Sequence, residues 1–173
     1  DPAECGPATI SMSQDVQGEL YEYPEVFFEE KIHQVRRVFP DPNQIRVAAE
    51  NIKKSKQPII ISGGGVLYSE AEKELSAFAK KHNIPVTATV MGIGCMKYDD
   101  PYYISAIGCL GEGSSNNLAT DTDLALAVGT KLGDFTTGSW TNFENENFNL
   151  VSINTSRFDT TKHRATPVVS DAK

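Results

Sequence analysis

No apolar stretch of the sequence approaches the ~20 residues that a membrane-spanning helix needs, which excludes insertion as a helix. Basic residues are in the minority. Sixteen Lys and Arg against 23 Asp and Glu leave a net charge of -7, so the chain has no electrostatic footprint for a phosphate backbone and nucleic acid is excluded as a partner. Cysteine is sparse as well. Cys5, Cys95 and Cys109 stand far apart with no C-x-x-C spacing, which offers neither a disulfide framework nor a zinc cage and fits the reduced thiols of a cytoplasmic protein. His33, His82 and His163 have no Ser or Cys placed beside them, so no catalytic triad is indicated and solvated imidazoles are expected. An initiator Met and a signal-like apolar core are also missing, from which a piece of a longer polypeptide is expected.

What is present is a succession of short apolar runs separated by helical patterns, in a length of 173 residues that suits one domain. In "FPDPNQIRVAAENIKKSKQP", Asp41 can cap a helix, Pro42 suits its first position, and Ile45, Ala48, Ala49 and Ile52 recur at helical spacing until Pro58 ends the pattern. Strands are expected at 58–62, 85–90, 123–128, 148–154 and 166–170, with a helical piece at 114–121. Ser69 with Glu72 three residues on forms a capping box for a helix whose buried face is Ala71, Leu75, Phe78 and Ala79. These strands are nearly continuously apolar rather than alternating, which indicates a sheet covered on both faces. The expected fold is α/β, doubly wound, with a mainly parallel sheet. Ahead of it, "GPATISMS" at 6–13 alternates as a strand does, and residues 14–40 read as a linker with more aromatics than a flexible tether should carry. Its charges, Glu29, Glu30, Lys31, Arg36 and Arg37, suit a solvated face or, alternatively, a contact with another domain.

Three motifs bear on function. "PIIISGGGV" runs from a strand into Gly63, Gly64 and Gly65, a turn that could let a backbone approach a pyrophosphate. Yet Tyr68 occupies the place of the third glycine of G-x-G-x-x-G and no acidic residue closes the next strand, which favours a tight strand-to-helix connection over a nucleotide cradle. "GCLGEGSSNN" at 108–117 has an acidic glycine turn and paired asparagines, but only two residues separate them, too few for both to reach one cation. "VGTKLGDFTTGSW" follows a strand end, where open α/β sheets place ligands, and offers Lys131, Asp134, Thr136 and Thr137 as polar groups or as turn and cap residues.

Taken in order, "GPATISMSQDVQ", "KQPIIISGGGV", "AFAKKHNIPV", "MGIGCMKYDDP" and "AVGTKLGDFTTG" resemble successive landmarks of the middle domain of thiamine-diphosphate-dependent enzymes of the acetolactate synthase type, across nearly the whole chain. The resemblance implies a Rossmann-like domain of the NAD/FAD-binding kind at 41–173, an interdomain linker at 16–40, and the end of an upstream pyrimidine-binding domain at 1–15. Within the family, "QDVQGELYEYPEVFFEEKIHQVRR", "GGGVLYSEAEKEL", "DFTTGSW" and "SINTSRFDTTKH" most resemble the branch that hydrolyses a carbon–carbon bond of a cyclic trihydroxy-1,2-dione in myo-inositol catabolism, giving 5-deoxy-glucuronate.

That resemblance implies thiamine diphosphate and Mg as cofactors of the full-length enzyme, held between its first and third domains, with the activating glutamate upstream of Asp1 and the Mg motif downstream of Lys173. This fragment alone is then expected to be inactive, to hold no cofactor and to contain no catalytic residue. Gly63, Gly64 and Gly65 become a candidate vestigial nucleotide site, since some relatives hold FAD there as a structural cofactor. Met91, Lys131 and Asp134 become candidates for a loop bordering the substrate entrance. The full enzyme is expected to be a cytoplasmic homodimer or homotetramer whose partner is the small cyclic dione. Two alternatives stand beside this: the middle domain of acetolactate synthase or a related acyltransferase, and a non-catalytic nucleotide-binding or assembly module.

Overall fold

A computed structural model describes residues 6–173; Cys5 and the rest of 1–5 lie outside the described residues. After Pro40 the chain enters α1 (Pro42–Lys54), where the Asp41 carboxylate accepts the N–H groups of Asn43 at 2.7 Å and Gln44 at 3.3 Å, relieving two of the unpaired donors of the first turn. The elements that follow are β1 (Pro58–Ser62), α2 (Gly64–Tyr68), α3 (Glu72–His82), β2 (Val86–Ala88), β3 (Tyr103–Ala106), α4 (Gly113–Asp121), β4 (Leu124–Val128), α5 (Asp134–Thr137), β5 (Asn149–Asn154), α6 (Arg157–Thr160) and β6 (Thr166–Val169).

The six strands form one sheet in the order β3-β2-β1-β4-β5-β6, and every neighbouring pair is parallel. Successive strands first step outward from β1 toward β3, then the chain returns and steps the other way from β4 to β6. β1 and β4 therefore lie side by side with their exit loops turning apart, and a crevice opens above their C-terminal ends.

Strand periodicity divides the core into two layers. Ile60 points to one face and packs with Val66, Leu75, Ala79, Val86, Leu126 and Val151, while Ile59 and Ile61 point to the other and pack with Ile107, Ala119, Ala125, Ala127 and Leu150. All three isoleucines are at most 1% exposed, so each contributes roughly 1.5–3 kcal/mol through burial. Helices α1 and α3 cover the first face and α4 the second, as the continuously apolar strands require.

Four expectations need correction. Residues 6–13, which alternate as a strand does, have no secondary structure and are exposed throughout. Ser69 does not cap α3: its residue closes α2, Glu70 follows at φ 54°, and α3 begins after Ala71 with no side-chain cap. β3 was not anticipated. Arg37, grouped with a solvated face, instead forms an ion pair with the buried Asp171 at 2.9 Å and donates to the Ser69 carbonyl at 3.0 Å. With the Asp171 N–H donating to the Val38 carbonyl, this fastens the end of the linker to the exit of β6.

Candidate functional site

The crevice between β1 and β4 is shaped by glycines that let backbone meet backbone. The Gly63 N–H donates to the Val128 carbonyl at 2.8 Å and the Gly65 N–H to the Gly129 carbonyl at 3.0 Å. A Cβ on Gly63 would stand 2.3 Å from the Gly129 oxygen, and one on Gly65 would stand 2.6 Å from the Gly129 Cα. Gly129 itself has φ +62°, which glycine adopts without strain. Two of the three amides in the triplet are thus engaged by the end of β4, and the glycines are accounted for by this close approach. Gly64 differs, since its added Cβ would meet Met91 at 3.3 Å, and it lines the crevice.

From the neighbouring strand, β2, the chain leaves through a 3-10 turn over Val90–Gly92, where the Thr89 hydroxyl accepts the Gly92 N–H at 3.2 Å. A Cβ on Gly92 would sit 2.2 Å from the Ser62 oxygen, so glycine is needed for the turn to lie on the end of β1. This leaves Met91 at the tip, 65% exposed.

The resulting crevice has a volume of about 450 Å³, within the range of small-molecule sites. Its walls combine Gly64, Gly65, Tyr68 and Met91 with Leu110, Lys131 and Phe135. A second crevice of about 290 Å³ adjoins it over the ends of β4 and β5, with Lys131 and Tyr68 common to both and Asn154, Ser156 and Asp159 on the far side. The Asn154 amide donates to the Thr130 carbonyl at 3.2 Å and ties the two loops together. Burial would raise the Asp159 carboxyl, but hydrogen bonds from Lys162 at 2.7 Å and from Ser156, with the nearby charges of Lys162 and Lys131, hold it below the usual carboxylate range.

The structure thus brings Gly64, Gly65, Met91 and Lys131 together at one crevice. Gly63 lies beneath it, against Gly129 and Thr130. Asp134 opens α5 outside the crevice lining, close enough for its charge to act on His163. Thr137, a candidate polar group, is buried and serves the fold, its hydroxyl donating to the Gly133 carbonyl and accepting the Trp140 N–H. Sequence reasoning missed Tyr68, Asn154, Ser156 and Asp159. Asn154 ends β5 and Ser156 and Asp159 follow it, and a strand end in an open parallel sheet was the signal that could have found them.

The "GEGSSNN" segment does not make a cation site. Asn116 accepts the Gly108 N–H at 2.9 Å, donates to the Gly108 carbonyl at 3.0 Å and accepts from Asn142 at 3.1 Å, so its side chain is consumed in holding a loop. No three His, Cys, Asp or Glu among the described residues are grouped to hold a metal. Cys95 is equally committed to structure: buried at 2.8 Å from the Ser62 hydroxyl, its thiol is pushed up by burial and stays protonated. Among the described residues no helix is long and apolar enough to cross a membrane.

Comparison with known proteins adds to this geometry. The chain is 43% identical over all 173 residues to a 3D-(3,5/4)-trihydroxycyclohexane-1,2-dione hydrolase of Clostridium tetani, and 44% identical to the protein of that name from Clostridium botulinum. It covers 27% of the length of each, so it spans about a quarter of these curated relatives. Among solved structures, benzoylformate decarboxylase of Polynucleobacter necessarius superposes with a TM-score of 0.62 over 87% of this chain and 30% of that one; at 24% identity it shares the fold. The family described as thiamine pyrophosphate enzyme, central domain, matches residues 45–173, and the chain belongs to that family.

Proposed function

We propose that this chain is the central domain of a thiamine-diphosphate- and Mg-dependent hydrolase that opens the ring of 3D-trihydroxycyclohexane-1,2-dione to 5-deoxy-glucuronate in myo-inositol catabolism. Identity above 40% along the whole chain to proteins named for that hydrolysis is the observation that supports the reading. Thiamine diphosphate, held elsewhere in the full-length enzyme, supplies the electron sink for cleavage of the carbon–carbon bond. The residues of this domain serve as scaffold. Gly63 and Gly65 hold the loops of β1 and β4 together, and the crevice they shape presents Met91 and Lys131 toward the approaching dione, with Asp134 further out at the start of α5. The full enzyme on this reading is a cytoplasmic homodimer or homotetramer, and the 173-residue chain alone is inactive.

The test is on the full-length enzyme with thiamine diphosphate and Mg. The ultraviolet absorbance of the dione's enediol is followed, with pyruvate as the second substrate. Loss of absorbance with the dione is expected. Turnover of pyruvate alone would overturn the reading in favour of acetolactate synthesis, and stoichiometric FAD on the purified enzyme would point the same way.

A further inference from the structure

The crevice over the ends of β4 and β5 carries hydrogen-bonding groups that the fold does not use. Ser170, just beyond β6, is 4% exposed and lines this crevice, yet its hydroxyl has no partner among the described residues. Of the buried side-chain polar atoms of those residues, Ser115 Oγ is the one that is both unpartnered and sealed from solvent. The Ser170 hydroxyl is therefore not sealed, and the crevice is the space it lines. The Tyr68 hydroxyl, the Thr155 hydroxyl and the Lys131 ammonium line the same space and are likewise unpartnered among the described residues. A hydroxyl kept in a buried wall without a protein partner is left for water or for a ligand. Asp159 completes the wall. Its side chain is 9% exposed, and the contacts from Lys162 and Ser156 that keep it ionised use about half of the roughly four hydrogen bonds that a carboxylate accepts.

The chemistry of this set selects its occupant. An ionised carboxylate in the wall repels phosphates and other carboxylates, so an anion is disfavoured. Asp159 accepts, Lys131 donates, and the hydroxyls of Tyr68, Thr155 and Ser170 do both. Vicinal hydroxyls, which donate and accept at adjacent atoms, meet all three kinds of group at once. The glycine turn adds nothing for a diphosphate, because the Gly65 N–H is engaged by the Gly129 carbonyl and α2 is only five residues long. A volume of about 290 Å³ lies at the lower end of small-molecule sites and suits one ring rather than a dinucleotide. Tyr68, half exposed, offers an aromatic ring for the C–H face of such a molecule. We propose that this crevice binds a neutral cyclic polyol, a single hydroxylated six-membered ring, with Lys131 and Asp159 on adjacent hydroxyls and Thr155 and Ser170 on others. The site stands on its wall alone, whichever reaction the full-length enzyme performs.

The test uses the full-length enzyme with thiamine diphosphate and Mg and reads binding rather than turnover. Myo-inositol is the probe, titrated while saturation transfer from the protein to its ring protons is followed. Saturable binding with Kd below about 10 mM is expected. Ser170→Ala and Thr155→Val, each deleting one hydroxyl, should weaken it by about three- to tenfold. Ser114→Ala, which deletes an exposed hydroxyl on α4, should leave it unchanged. At saturation, amide exchange at 154–159 should slow by about twofold or more. No saturable binding below about 10 mM, an affinity indifferent to both hydroxyl deletions, or unchanged exchange at 154–159 would each overturn the proposal. Protection of 154–159 by AMP or inorganic phosphate, with none by myo-inositol, would overturn it too.

Discussion

Gly65 and Gly129 approach so closely that a Cβ placed on either would stand 2.6 Å from the Cα of the other. That contact joins the two loops at the point where the strand order reverses, and both neighbours are backbone that cannot swing aside. Replacing Gly65 with Ala is expected to lower stability by about 1–3 kcal/mol through overpacking. Gly129→Ala should cost more, since φ +62° adds roughly 1 kcal/mol of its own. Gly113→Ala, with nothing within 4 Å, is the control and should stay within about 0.5 kcal/mol. Urea midpoints of the three variants check this. Equal midpoints for Gly65→Ala and Gly113→Ala would show that the loops part without cost.

Asp123 ties the entrance of β1 to that of β4. Its carboxylate accepts the Ser55 hydroxyl, the Lys56 N–H at 2.8 Å and the Gln57 N–H at 3.1 Å. Burial pushes the carboxyl up, but these bonds outweigh it and hold it below the ordinary carboxylate value. A depressed value means that the stabilisation is complete above the unfolded pKa of about 3.9 and fades as pH falls through the folded one. Asp123→Ala is expected to cost about 1–2 kcal/mol at pH 7, toward the lower end because the site is half-exposed and solvent screens it. The gap to the unmodified chain should start to narrow as pH falls below about 4 and should close only once the folded value is passed. A gap that does not narrow at all between about pH 5 and about pH 2 would place its origin elsewhere.

How much of this was legible in the sequence depends on what local pattern can encode. β1, β4 and β5 carry apolar runs long enough to be buried on both faces, and their expected bounds agree with the observed ones to within a residue. The helix at 114–121 and the Asp41 cap are local signals and also hold. β3 has no such signal. It is an edge strand of "YISA" that follows Pro101 and is only partly buried, so its pairing with β2 is a tertiary fact. The capping box at Ser69 failed for the opposite reason: the residue types were right, but Glu70 turns the chain first. At the crevice, the glycine triplet and the "VGTKLGDFTTGSW" motif that contains Gly129 were each visible, while their contact, across the 64 positions between Gly65 and Gly129, is a tertiary fact that neither motif encodes. Arg37 and Asp171, 134 residues apart, were illegible on the same grounds.

Trp140, the single tryptophan of the chain, packs against His163 with ring centroids 4.1 Å apart and the planes inclined at 48°. Burial and then the Lys162 charge hold the imidazole below its usual value, while Asp134 opposes them. Protonation of the folded chain therefore lags behind that of the unfolded chain. As pH falls below about 6.5, this residue favours the unfolded state progressively until the folded value is passed. A charged imidazolium against the indole quenches its emission, so the fluorescence of Trp140 reports the titration directly. A quench with its midpoint below about 6.5 is expected. It should vanish in His163→Gln and move to still lower pH in Asp134→Asn. A midpoint at or above 6.5, or one indifferent to Asp134, refutes the assignment.

Met91 and Lys131 line the crevice above β1 and β4, whereas Asp134 starts the next helix beyond it, and this separation makes the proposed entrance testable by comparison. All three side chains are exposed, so their removal should leave stability within about 0.5 kcal/mol. In the full-length enzyme a lost contact of about 1 kcal/mol with the incoming dione corresponds to roughly fivefold in KM. Met91→Ala and Lys131→Ala are expected to raise KM by about that factor with kcat little changed, because the contacts are made on approach and kept through the reaction. Asp134→Ala should change KM less. If Met91→Ala and Lys131→Ala leave both constants untouched, the crevice is no part of the route to the reacting centre. A fall in kcat at constant KM would instead place these residues in contact with the transition state.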